Sequence, residues 1–265
     1  MALRPFGDPE LLGRMSRIIR QHSTNARDVR EVLLEGLALP DARQVLDLGC
    51  GFGFWSEALA RRVSGAARFV GVDVCAGTAE AYVERLRAAG REAQFVCRDL
   101  SSAVLDWPSA SFDVIIAGYS LYFFPEVLPE VARLLVPAGV FVGVTHTQQS
   151  CRDLLAVVGL AEDDPGLVEL IGRFSVENGA RELERWFVQV QRVDYENSLV
   201  FSRGHFDELW DYLCFVLEVA LATGRRGFEQ LLYYETKVRA HLADLQEVVF
   251  RKDDAAFVCR SPRWP

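Results

Sequence analysis

The sequence predicts an α/β fold: a doubly wound, mostly parallel sheet with helices added around one edge. Three observations carry this. An apolar strand ends in an acid and runs into a glycine-rich turn, Val45-Leu46-Asp47-Leu48-Gly49-Cys50-Gly51-Phe52-Gly53-Phe54, with a helix after it. Strand and helix patterns alternate from Gln44 to Thr145. Two further acids, Asp73 and Asp99, fall at or just past the ends of the second and third strands.

The first strand starts at Gln44 and ends at the glycines. Glycine is needed where a backbone takes φ > 0 or approaches a ligand without a Cβ in the way. The helix beyond, roughly Phe54 to Arg62, aims its free N–H groups and positive dipole end back at the loop. Arg68 to Val74 reads as a second buried strand, Thr78 to Ala89 as a helix stopped by Gly90, and Ala93 to Arg98 as a third strand. Phe112 to Ala117 (F-D-V-I-I-A) is nearly all apolar, as a central parallel strand should be. A helix opens near Pro125 and runs through Leu135; Pro137-Ala138-Gly139 makes a turn, and Val140 to Thr145 is a fifth strand. Right-handed crossovers order these elements into a doubly wound sheet.

Three ligand classes compete for the loop. A phosphate loop would carry Lys-Ser or Lys-Thr after its last glycine, where this chain has Phe54-Trp55. A dinucleotide fingerprint reads G-x-G-x-x-G against the G-x-G-x-G found here. Asp47 would also repel a pyrophosphate and attract an ammonium group. Asp73 is placed to accept hydrogen bonds from vicinal ribose hydroxyls, and Asp99 from an adenine amine. A single acid at a strand end is more often a cap or turn residue. Three at consecutive strand ends, beside a glycine loop, point to a ligand.

The D-L-G-C-G-x-G run over Asp47–Gly53 resembles the first motif of class I S-adenosylmethionine-dependent methyltransferases. The resemblance extends over Gln44 to Thr145, including F-D-V-I-I-A and the L-L-V-P-A-G run before the fifth strand. It implies that Asp47 and the backbone of Gly49, Cys50 and Gly51 hold the methionine part of S-adenosylmethionine. It also implies that Asp73 holds the ribose, that Val74 packs on the adenine, and that Asp99 with the Leu100 backbone reads the adenine edge. Ala117 to Tyr119 would face the sulfonium. S-adenosylhomocysteine would be the product, and no metal is expected. The tail resembles the family more weakly: Phe174 to Phe187 as the last crossover helix, Val188 to Val193 with Ser198 to Phe201 as the sixth strand, and Ala255 to Arg260 as an antiparallel seventh.

That connectivity gives a core of residues 41–147, 174–203 and 248–265, with additions at 1–40, 148–173 and 204–247. Both inserts start from the cofactor edge, so they read, with amino-terminal helices at about Pro9 to Gly36, as a helical cap over the substrate. The competing reading is a second core or a homodimer face. Aromatics recur through the last insert (Phe206, Trp210, Tyr212, Phe215, Phe228, Tyr233, Tyr234). Tyr233 or Tyr234 is expected to line an apolar acceptor pocket beside Tyr119, with Tyr122.

Methyl transfer from a sulfonium is an in-line displacement that relies on alignment and exclusion of water. A base is needed only if the acceptor proton must leave early. His146, directly after the fifth strand, is the first candidate, with Tyr119 beside it; His22 could reach the site from the amino-terminal helices. For both histidines a hydrogen-bonded structural role is the commoner outcome. The formal net charge of −8 disfavours an extended nucleic-acid surface. No N-P-P-Y-like run follows the fourth strand and no Pro-Cys nucleophile is present. A small-molecule acceptor is therefore the leading expectation, ahead of a protein or RNA methyltransferase or a non-transferring S-adenosylmethionine-binding protein. The six cysteines form no C-x-x-C pair, which argues against a zinc site or disulfide framework. The chain shows no signal-peptide pattern and no run apolar enough to span a bilayer, so a cytoplasmic protein with no membrane partner is expected.

Overall fold

A computed structural model describes residues 4–163, 166–223 and 229–264. Phe228 lies outside the described residues. In the amino-terminal region, α1 (Pro9–His22) is capped by the Asp8 carboxylate, which accepts from the Glu10 and Leu11 N–H groups; α2 (Val29–Leu33) is capped by Asp28. Then come β1 (Gln44–Leu48), α3 (Phe54–Ala60), β2 (Arg68–Asp73), α4 (Ala79–Ala88), β3 (Glu92–Cys97), the short α5 (Leu100–Ala103), β4 (Phe112–Gly118), α6 (Leu128–Leu134) and β5 (Leu135–His146). Gly90 takes φ +72° just beyond α4. The turn expected at Pro137–Gly139 is instead an irregular stretch of a longer β5, whose register against β4 shifts between Phe112 and Val114.

Helices α7 (Gln148–Val157), α8 (Leu167–Gly172) and α9 (Gly179–Leu183) follow, then β6 (Phe187–Tyr195), β7 (Ser198–Ser202), α10 (Phe206–Thr223), α11 (Glu229–Leu242), β8 (Glu247–Arg251) and β9 (Asp254–Pro262). The main sheet has seven strands in the order β3-β2-β1-β4-β5-β9-β6, with β9 antiparallel to both neighbours. Strand side chains alternate between two cores. Leu46, Leu48, Ile115 and Ala117 face the layer of α5 and α6; Val45, Val114 and Ile116 face α3 and α4.

Two expectations for the tail are corrected. The last crossover is the five-residue α9, not a helix over Phe174–Phe187. The segment before it is held as a turn, in which the Ser175 N–H donates to the Asn178 carbonyl oxygen Oδ1 at 2.7 Å. Ser198–Phe201 does not extend the sixth strand. The chain turns at Asn197, which is 5% exposed; its Oδ1 accepts from the Asn25 N–H, its Nδ2 donates to Ser23, and its N–H donates to Asp253. So anchored, β7 leaves the main sheet and pairs antiparallel with β8.

The additions meet in a third core. Met15 and Ile18 of α1, Leu154 and Leu155 of α7, Phe201 of β7, Leu213 of α10, Tyr234 of α11 and Phe250 of β8 pack together. Helix α1 and parts of both inserts thus share one satellite body, which also recruits β7 and β8, whereas α2 packs in the main fold against α3 and β6.

Candidate cofactor and proton-transfer site

Three glycines shape the loop after β1, all at positive φ: Gly49 +72°, Gly51 +48° and Gly53 +83°. A Cβ on Gly49 would lie 2.5 Å from Ser120 Cβ, and one on Gly53 would press on Tyr82 and Leu86 at 3.2 and 3.3 Å. A Cβ on Gly51 would meet only Leu12 Cδ1 of α1, at 4.0 Å. Gly49 and Gly53 are therefore demanded by packing and backbone together, whereas the loop is open at Gly51. The Gly49 and Cys50 N–H groups donate to the Val72 carbonyl at the end of β2.

Asp73 ends β2 beside this opening. Its Oδ2 accepts from the Gly51 N–H and its Oδ1 from the Cys75 N–H, both at 2.9 Å. Burial raises its carboxyl from the usual range, against the pull of these two N–H groups and of further donors on Cys75 and Val74. Val74 is half-buried, Leu100 is buried, and Ala117 is fully buried in β4. Asp99 is exposed and caps α5, where its Oδ1 accepts from the Ser102 N–H at 3.3 Å.

Asp47 of β1 is 2% exposed, and its Oδ2 accepts a 2.6 Å hydrogen bond from Ser56 Oγ of α3. Burial, with the Asp73 charge adding to it, pushes its carboxyl up to about 7. Because this value exceeds the unfolded one, the native state holds the extra proton, and stability falls as pH rises between the two. Asp47→Asn should remove that slope. Relative to the parent, its unfolding free energy should climb by roughly 2–4 kcal/mol from about pH 4 to about pH 8, as read by urea denaturation; parallel curves would show that Asp47 is ionised throughout.

Beyond β4 the backbone turns sharply. Tyr119 takes φ +58°, a costly conformation for a bulky residue and one that concentrates at functional positions. Its ring stacks on His146 at 4.4 Å and 11°, and meets Trp55 of α3 edge-on at 5.6 Å. The Tyr119 hydroxyl donates to Asp254 Oδ2 at 3.0 Å. His146, ending β5, brings Nδ1 to 2.6 Å from Asp254 Oδ1. Lys252 Nζ donates to both Asp254 oxygens at 2.9 and 2.8 Å and lies 3.2 Å from His146 Nδ1. Asp254 and Lys252 are only 4% and 9% exposed. Burial and then the Lys252 charge lower the His146 imidazole below its ordinary value, against the Asp254 charge. Asp254 is held below the usual carboxylate range, because Lys252 and His146 together outweigh its burial.

Neither Lys252 nor Asp254 stands out from sequence reasoning about single motifs. The signal was there: R-K-D-D at Arg251–Asp254 opens an apolar strand, and an antiparallel last strand starts at the edge where β4 and β5 end. Trp55 was missed as well; its Nε1–H is buried with no hydrogen-bond partner among the described residues.

The predicted acceptor-pocket residues separate. Tyr122 is buried with its ring 6.0 Å from His146. His22 belongs to the satellite body. Its Nδ1 is 2.8 Å from the Val200 carbonyl, its Nε2 is 2.5 Å from Glu208, and its ring stacks on Phe201. A surface cleft of about 320 Å³ opens there, lined by His22, His205 and Glu208, away from the glycine loop. Tyr233 is 53% exposed and Tyr234 is fully buried in the satellite core, so neither lines a pocket beside Tyr119. The aromatic link from α10 runs instead through Phe215 to Phe6, and from Phe6 to Phe123, at 5.5 and 5.8 Å.

Residues 45–139 match the family described as a methyltransferase domain. The ubiquinone biosynthesis O-methyltransferase of Paracidovorax citrulli is 32% identical over 131 residues, covering 48% of this chain and 53% of that protein. The 2-phytyl-1,4-naphtoquinone methyltransferase of Thermosynechococcus vestitus is 32% identical over 129 residues, covering 47% and 56%. The chain thus spans about half the length of these curated relatives. Among solved structures, a Bacillus halodurans C-125 protein superposes with a TM-score of 0.57 over 89% of this chain and 99% of its own, at 15% identity, a likeness of fold alone. The matched stretch takes in β1, its glycine loop and the strands through β4, and there the chain is similar to class I S-adenosylmethionine-dependent methyltransferases.

Proposed function

We propose that this protein transfers a methyl group from S-adenosylmethionine to a small-molecule acceptor, at the edge formed by the carboxyl ends of β1, β2, β4 and β5. The observation that carries this is the single open side of the glycine loop, at Gly51, next to Asp73. A second observation fits a polar ligand: the buried Trp55 Nε1–H lacks an acceptor and lies against Gly118. The backbone of Gly49, Cys50 and Gly51 and the Asp73 carboxylate would hold the cofactor, with Val74, Leu100, Ala117 and Tyr119 packing around it. Asp99 keeps Oδ2 for an adenine amine. When bound, the cofactor supplies an electrophilic methyl group on a sulfonium.

The chain's own contribution is alignment and exclusion of water. The satellite body serves as the cap: Leu12 of α1 reaches toward Gly51, and the carbonyl of Gly7 abuts Gly77 beyond β2. Relatives named for ubiquinone, naphthoquinone and menaquinone methylation support a small acceptor. No described helix is long and apolar enough to cross a membrane, and we place the protein in the cytoplasm.

Calorimetry should show binding of S-adenosylmethionine and S-adenosylhomocysteine and none of NAD, and a methyl-transfer screen over metabolites should yield a methylated product. Tight NAD binding without S-adenosylhomocysteine binding would overturn the proposal. Asp73→Asn should weaken S-adenosylhomocysteine by roughly 1–3 kcal/mol, the scale of hydrogen bonds to a charged acceptor. Asn is the better probe than Ala, because it retains one acceptor for the N–H groups that tie the loop. An unchanged dissociation constant in the folded variant would leave Asp73 as a turn residue only.

A further inference from the structure

We infer that the Lys252–Asp254 pair fixes His146 as a neutral base with its lone pair at Nε2, and that the acceptor is a molecule whose nucleophile is an acidic hydroxyl, a phenol or an enol. The inference rests on the methyltransferase reading and deepens it.

The tautomer follows from the contacts. Nδ1 cannot both donate to Asp254 and accept from Lys252. Asp254 is the closer partner, at 2.6 Å against 3.2 Å, and it is an ionised carboxylate, which accepts only. Lys252 already has both Asp254 oxygens to donate to. The proton therefore sits on Nδ1. Nε2 makes no hydrogen bond to any described residue, and since the Nδ1 edge is covered by two buried side chains, the 21% exposure of the His146 side chain falls on the remainder of the ring.

The protonation state follows from the surroundings. Lys252 stands against a second proton on the ring, while Asp254 would stabilise one once it arrives. The other titratable groups turned toward this cluster are phenols: Tyr119 stacked on the ring, Tyr122 beside it, and Tyr195 and Tyr212, which feel the Asp254 charge. Burial raises all four, so none carries charge near neutrality. The Cys151 thiol lies near Tyr122 and Tyr212. Lys252 and Asp254 cancel, and His146 is left neutral and able to take a proton.

Such a base selects its substrate. A neutral amine has its lone pair ready and can lose its proton after transfer. A carboxylic acid is ionised already, and a thiol, with a few per cent of strongly nucleophilic thiolate at neutral pH, gains less from a base. An aliphatic alcohol is a far weaker acid, whose proton an imidazole takes only late in the transfer. A phenol, ionising near a pKa of about 10, lies within a base's reach and gains most from it. In the step, the O–H proton passes to His146 Nε2 and the oxygen lone pair forms the bond to the methyl carbon. The carbon–sulfur bond breaks with its electron pair on sulfur, giving a methyl ether and S-adenosylhomocysteine. The imidazolium then returns its proton to water. His146 is the catalytic residue; Asp254 and Lys252 are positioning residues.

Long-range proton–nitrogen NMR on the full chain, labelled at its four histidines, tests this directly. His146→Gln assigns the signal. In the parent protein His146 should be neutral at about pH 7, protonated on Nδ1, and titrate below about 6.5. Asp254→Asn should move the proton to Nε2, because the amide turns its N–H toward Nδ1. An Nε2-protonated or charged His146 in the parent at neutral pH overturns the inference, and that spectrum needs no variant to fold.

Rates with catechol and 4-nitrocatechol as probes give the second reading. His146→Gln should lose roughly 100-fold or more in kcat with catechol and clearly less with 4-nitrocatechol, which ionises unaided. Equal losses, or turnover confined to amines or thiols, overturn it, as does failure to methylate any phenol or enol while S-adenosylhomocysteine binds. Absence of S-adenosylhomocysteine binding instead overturns the methyltransferase reading, a failure the NMR result does not share.

Discussion

Gly51→Val is expected to weaken S-adenosylhomocysteine binding by roughly 100-fold or more, about 2.8 kcal/mol, while the protein stays folded. Gly49→Ala should do the opposite damage, costing about 2–4 kcal/mol of stability from its backbone conformation and the clash it creates. The two residues are neighbours in one loop and both have positive φ, yet they face different things. A side chain at Gly49 points at Ser120 Cβ, 2.5 Å away in the packed turn after β4. One at Gly51 points into space bounded only by Leu12. Valine there strains the backbone by about 1–2 kcal/mol and fills the volume assigned to the cofactor. Thermal melts followed by calorimetry on each variant separate the effects. Normal binding by Gly51→Val would show that the loop is not the site.

Lys252→Met should destabilise the protein by about 3–5 kcal/mol at about pH 8, because it leaves the Asp254 carboxylate buried without its cation. At about pH 6 the loss should be smaller, since His146 then supplies the replacement charge. The sign is set by the two directions of shift. In the parent, His146 titrates below its unfolded value, so its contribution to stability grows as pH rises toward that value. Without Lys252 only burial still depresses the imidazole, and the uncompensated Asp254 charge and hydrogen bond pull it upward. The stabilisation is then fully present below the unfolded value and is lost as pH rises through the folded one. Urea denaturation at both pH values measures the difference. An equal loss at each would mean that His146 does not respond to Lys252.

Both predictions depend on placement that a single segment of sequence does not carry. The glycine loop, β1 to β5 and the antiparallel last strand were legible because each is a local pattern: apolar runs bounded by glycine or an acid, at the spacing a parallel sheet requires. Asp73 was legible for the same reason, as an acid at a strand end. Asp47 carried the same local signal, but its burial and its hydrogen bond from Ser56 on the next helix show only in the packing. The sixth strand was half legible: Val188 to Val193 reads as a strand, but the partners of Asn197, distant in sequence, that send Ser198–Ser202 to pair with β8 do not show in local pattern.

By itself the sequence determined the parallel strands β1 to β5 and the glycine turn at their carboxyl edge, because those follow from periodicity and from the backbone freedom of glycine. It also placed His146 at that edge. Tertiary structure decided what His146 can do. Its partners lie 106 and 108 residues away, on a turn and strand entering from the opposite direction, and a pairing at that separation leaves no mark in local pattern. Tertiary structure likewise decided which tyrosines matter. Helical spacing sets Tyr233 and Tyr234 about 100° apart but does not say which side faces a neighbour. The contacts of α11 with the satellite core put Tyr234 inside and Tyr233 in solvent, while Tyr119, strained at φ +58°, stacks on His146.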